Sequence, residues 1–181
     1  MTGYSISIPS RRLFARAVRD LLDQHTEWDA PLYPFVSFVY DQGQIRPSTV
    51  NMISAVFDPN SFPVIMDGLV RDELATDLPT PYAYALLTEL WIVYSTAVSP
   101  GERARLRHQA ATHQLGQHPG RVEVAWVTCA DIHGRVWSAS RRRDNGEITE
   151  RFVGDPDAAD LPYDTELRAV AALAKAARAT P

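Results

Sequence analysis

RVEVAWVTCADIHGRVWSASRRRDNGEITERFV, residues Arg121 to Val153, is the stretch on which the fold turns. It divides at two turn signals into three runs with the period-two alternation of β-strands, and so reads as an antiparallel meander. In the second turn, Asn145-Gly146 sits at the centre of Asp144–Glu147, the composition of a two-residue type I′ hairpin loop. That loop sets Arg143 opposite Ile148, Arg141 opposite Glu150 and Ala139 opposite Phe152. The first turn, Asp131-Ile132-His133-Gly134, suits a loop of two or four residues, and both give the same facing because only an odd slip exchanges the faces. One face then carries Val122, Val124, Trp126, Thr128, Ala130, Trp137, Ala139, Ile148 and Phe152, with Arg141, Arg143 and Glu150 at its far end. The other is smaller and more polar. The tryptophan face is expected to pack under helices.

Around this meander, composition sets the bounds. The chain has 181 residues, 45% of them hydrophobic, and a net charge of −4, which suits a soluble single domain able to build its own core. The first residues lack the basic and apolar regions of a signal peptide. No apolar run approaches the roughly 20 residues of a membrane helix. Cys129, the one cysteine, sits in a strand pattern and excludes an internal disulfide, so the cytoplasm is the expected compartment. Lys175 is the only lysine, and the mild acidity argues against general nucleic-acid binding.

In chain order, residues 5–8 suit a short edge strand. Arg11 to about His25 has one apolar stripe (Leu13, Ala17, Val18, Leu21, Leu22) and reads as a surface helix. Leu32–Tyr40 is a strand by its aromatic and β-branched content, followed by a turn at Asp41–Gln44. Thr49–Phe57 fits a short helix or a strand about equally. Asn60-Ser61-Phe62-Pro63 starts a helix that ends before Pro79. The second half of Tyr82–Ser95 reads as a central strand, with Glu89 its one charge and Trp91 on the same side. Ser99–Glu102 is a capping box opening an arginine-rich exposed helix, and Asp164-Thr165 caps a last helix through Arg178.

Few groups suggest chemistry. His108, His113 and His118 recur every five residues, a spacing that does not align them on one helical face, so no metal centre is expected. Cys129 reads as an inert buried thiol. Asp131 and His133 flank a turn and could pair as acid and base, and Glu89 could serve as a catalytic carboxylate or pair with a strand arginine. The sharpest charge is Arg141-Arg142-Arg143. On a strand, Arg141 and Arg143 share one face, with Glu150 and the Trp126 ring as partners for Arg141, while Arg142 projects from the other. Together with Arg103, Arg105 and Arg107 they would suit an anion or a nucleic acid.

Glu89-Leu90-Trp91, His118-Pro119-Gly120-Arg121-Val122-Glu123, Ala130–Trp137 and Arg141-Arg142-Arg143 resemble a pattern in uncharacterised small proteins of actinobacteria and actinobacteriophages. In those, E-x-W lies on one strand, H-P-D-R-V-E enters the next, and a turn leads to an aromatic and an arginine run. Gly120 replaces the usual acidic residue and Leu90 the usual glycine. The resemblance spans roughly Thr88–Glu150, supports the strands and implies no activity.

The expected fold is therefore α+β: an antiparallel sheet of about five strands with a C-terminal meander, its helices mostly on one face. The leading functional expectation is a non-enzymatic cytoplasmic protein that binds a protein partner or itself and needs no cofactor. The alternatives are nucleic-acid or anion binding through Arg141, Arg142, Arg143, Arg103 and Arg107, and a hydrolase or transferase using Glu89, Asp131 or His133.

Overall fold

The computed structural model describes residues 8–55, 61–93, 99–111, 114–154 and 161–179. The elements are α1 (Arg11–Asp23), β1 (Leu32–Asp41), β2 (Gln44–Ser54), α2 (Phe62–Leu74), β3 (Ala83–Val93), α3 (Pro100–Ala111), β4 (Arg121–Asp131), β5 (Val136–Arg142), β6 (Ile148–Val153) and α4 (Asp164–Ala179). The strands form one antiparallel sheet in the order β2-β1-β3-β4-β5-β6. The α+β expectation holds, with six strands rather than five. The added one is β2, where the sequence left helix and strand open; the expected strand at 5–8 falls largely outside the described residues.

A tight turn explains β2. Gln42 and Gly43 both have positive φ, 49° and 78°, so the type I′ loop of this fold joins β1 to β2. At Asn145-Gly146 only the glycine is left-handed, at 72°. There the loop runs over four residues, with Gly146 donating to the Arg142 carbonyl and Arg142 to the Glu147 carbonyl. Ile148 consequently faces Arg141 rather than Arg143, and Glu150 faces Ala139. This slip of two residues leaves the faces of β5 and β6 unchanged.

The first turn does change them. Gly134, at φ 78°, donates to the Asp131 carbonyl, and Asp131 donates to the Arg135 carbonyl, which encloses a three-residue loop with a glycine bulge. Trp126 therefore lies opposite Ser140, and Cys129 opposite Trp137. Opposite residues share a face, so Trp126 and Trp137 lie on opposite sides of the sheet, against the expectation that they pack together. Trp137 is buried under α1, stacked on Phe14 at 4.5 Å. Trp126 is half-buried on the other side, where its indole donates to Thr128 Oγ1, which donates to the Pro162 carbonyl before α4.

Both faces are thus covered, not mainly one. α1 packs on the Trp137 side, α2 and α4 on the Trp126 side. Ser37, on β1, donates to the buried Glu73 of α2 at 2.5 Å and accepts the Thr49 amide of β2. That diverted amide marks a bulge, because β1 pairs Ser37 with Thr49 but Phe38 with Pro47. The whole apolar run from Ala83 to Val93, not only its second half, is strand, with core packing on both faces of its first half.

Candidate functional site

At the end of the sheet where β3, β4 and β5 meet, the arginine run is held inside the molecule. Arg141 donates to the Leu22 and His25 carbonyls at the C-terminus of α1, where the helix dipole favours a cation. It does not reach Glu150 or Trp126, because Glu150 faces Ala139 and Trp126 has moved to the other side. Arg142, on the opposite face as expected, makes a two-pronged bond to Asp144 at 2.9 and 2.6 Å. Arg143 bridges Asp29 at 2.8 Å and Glu123 at 2.9 Å and covers the Trp28 ring at 5.2 Å. These bonds hold the Asp29 carboxyl below the usual carboxylate range and raise the Arg143 guanidinium, while Arg142 lowers Asp144.

Glu89 lies beside this clasp. Its side chain is buried, with one oxygen 2.8 Å from His25 Nε2 and the other accepting the Asp29 amide at 2.9 Å. A carboxylate oxygen only accepts, so the 2.8 Å contact puts a proton on His25 Nε2, pointed at Glu89. The partner of Glu89 is therefore a histidine, not a strand arginine. Oxygens of Asp29, Glu89 and Glu123 lie within 4.8 Å of one another, the spacing a cation would use, and they border a 310 Å³ pocket with Trp91. Their countercharge comes from Arg143 and their donors from His25 and the Asp29 amide. The arrangement acts as a clasp that ties the segment after α1 to the sheet.

The other sequence candidates do not converge on this place. Glu89 is six residues along β3 from Ala83, which pairs with Asp131, a separation of about 20 Å. Asp131 is fully buried and accepts the His133 and Arg135 amides and the Arg135 guanidinium. It meets the backbone of His133, whose ring is pushed below its ordinary pKa by burial. Cys129 is buried, and desolvation raises its thiol well above the ordinary range. His118 accepts the Gly120 amide, His108 is exposed, and His113 lies outside the described residues. So do the side chains of Arg103 and Arg107 on α3; Arg105 is exposed beside Glu102 at 3.8 Å.

The feature open to a partner is the outer edge of β2, which no other strand pairs among the described residues. Ala55 donates to the Pro31 carbonyl, so hydrogen-bonded pairs with β1 recur at the odd positions Ile53 and Asn51. Val50 and Met52 then turn their amides and carbonyls outward. Pro34, opposite Met52, agrees, since its missing N–H belongs to a pair not bonded across to β2. Val50 and Met52 are also 56% and 53% exposed, with exposed Leu32 on the same face. Natural edges are usually blunted by charge, proline or bulges. Here Pro47 and the bulge guard one end, while residues 48–54 carry no charge. Sequence reading missed this edge because Val50, Ile53 and Val56 mimic helical spacing; the Gln42-Gly43 turn between two β-rich runs was the signal for a hairpin.

No helix among the described residues is long and apolar enough to cross a membrane. No protein-family model, curated protein or solved structure matches the chain.

Proposed function

We propose that the protein is a non-enzymatic binding or accessory protein that acts by strand addition at the outer edge of β2. The observation that carries this reading is the coincidence on Val50 and Met52 of outward backbone groups and exposed apolar side chains. Extended segments bind such edges through main-chain hydrogen bonds, and alternate side chains supply specificity. The arginine run supports nucleic-acid binding less well, since Arg141, Arg142 and Arg143 each already engage carbonyls or carboxylates of this chain. A lone buried thiol supports a reducing compartment, the cytoplasm.

The test is site-specific photo-crosslinking in expressing cells. Benzoylphenylalanine at Val50 is expected to give a discrete protein adduct, and the same probe at exposed Arg151 on β6 none. Adducts at Arg151 but not at Val50 would refute the reading.

A further inference from the structure

Resting on that reading of the edge, we propose that the strand which completes it is β2 of a second copy, antiparallel about a two-fold axis at Asn51. The register follows from which backbone groups face out. In an antiparallel pair, outward groups must meet outward groups. A two-fold at Asn51 sets Val50 against the partner's Met52 and Met52 against the partner's Val50. Each of these pairs exchanges two N–H···O bonds, four in all.

The side chains agree with the same axis. Opposite residues share a face, so Val50 and Met52 of both copies form one apolar cluster on the α1 side. Leu32 and Pro34 of each β1 flank it. The contact is isologous: the patch complements itself and closes without leaving a second edge of its kind. Charge raises no obstacle, since residues 47–57 carry none. Asp41 and Arg46 pair with each other at 3.2 Å beyond the bulge. The opposite edge, β6, has Glu150 and Arg151 along it and is blunted against such pairing. The product is a continuous twelve-stranded sheet with β6 at both ends. The contact consists of four main-chain bonds and the Val50 and Met52 side chains of each copy, so a weak, concentration-dependent dimer is expected.

Sedimentation of the intact chain over a concentration series, with two variants, tests this. Wild type is expected to pass from monomer to dimer. Met52→Lys, at an exposed site that leaves the core alone, is expected to weaken association at least tenfold. Asn51→Cys is expected to form a disulfide-linked dimer on mild oxidation, because facing residues of a non-bonded pair approach to about 4.5 Å. Met52→Cys, which faces the partner's Val50, serves as the register control. A dimer that Met52→Lys leaves intact, or that Met52→Cys links better than Asn51→Cys, overturns the proposed axis. If wild type stays monomeric but a valine–threonine hexapeptide slows hydrogen exchange at Val50 and Met52, self-pairing is overturned and strand addition stands. If neither occurs, both fall.

Discussion

Replacing Asp131 separates the two jobs its carboxylate performs. Oδ1 accepts the His133 and Arg135 amides at 2.9 and 3.0 Å, closing the three-residue turn. Oδ2 accepts Arg135 Nε at 2.8 Å. The carboxylate is fully buried and the Arg135 side chain only 19% exposed, so water replaces little of what is lost. Hydrogen bonds to a charged group contribute roughly 1.5–3 kcal/mol each, and breaking one side of a buried pair costs about 3–5 kcal/mol. These overlap, so Asp131→Ala should destabilise by about 4 kcal/mol. Asp131→Asn keeps an acceptor for the turn but sets an amide against the guanidinium, and should cost about 2 kcal/mol. For a chain of this length each kcal/mol moves the melting temperature by about 2–4 °C, so the alanine variant should melt about 8–16 °C lower. Urea unfolding followed by tryptophan fluorescence measures both, with Trp137 as reporter because Arg135 covers its ring at 5.0 Å. Equal losses for Asn and Ala would show that the turn bonds contribute nothing separable. A loss under about 1 kcal/mol for Ala would refute the view that Asp131 holds the turn.

Three further outcomes are expected. Asp29, held low chiefly by its hydrogen bond from Arg143, contributes stability that is present above its unfolded pKa near ~4 and is lost as pH falls through its depressed folded value; Asp29→Asn should flatten the melting-temperature profile of the wild type in that acid range. Cys129, buried with its thiol raised, should ignore a disulfide reagent in the native protein and react once denaturant is added; fast native labelling would disprove its burial. Gln42 occupies a left-handed position that asparagine tolerates better, so Gln42→Asn should raise stability by about 0.5 kcal/mol in the same urea assay, and a decrease would contradict the type I′ assignment.

Periodicity made the meander, the helices and β1 legible, because burial on one side writes itself into alternation. Turn length was less legible, and there one residue mattered more than any propensity. Asn145-Gly146 has the composition of a two-residue loop, yet Arg142 fastens to Asp144 within the turn and the chain takes four residues; the even slip spared the faces. In the first turn Asp131 caps the His133 amide within the loop and the Arg135 amide that closes it, which admits a third residue, and that odd count sends Trp126 and Trp137 to opposite sides. The helix arrangement follows from it. With large apolar groups on both faces of β4 and β5, the sheet needs cover on both, and α1 and α4 divide accordingly.

The arginine end shows a second limit. Strand alternation placed Arg141 and Arg143 on one face and Arg142 on the other, which the structure keeps. It could not supply their partners, because Leu22, His25 and Asp29 lie more than a hundred residues away and follow a helix whose position depends on the exchanged face. Had the first turn held two residues, the end of α1 and the Asp29 carboxylate would have met the other side of β4. Glu123 would then have pointed away from the clasp it now closes with Arg143. A one-residue change in the loop at Ile132–Gly134 should therefore do more than destabilise a turn: it should release Arg143 from Asp29 and Glu123. Deleting His133 tests this, with loss of the acid-range slope that Asp29 contributes as the readout. A deletion variant that melts cooperatively with that slope intact would show that the clasp forms independently of the turn.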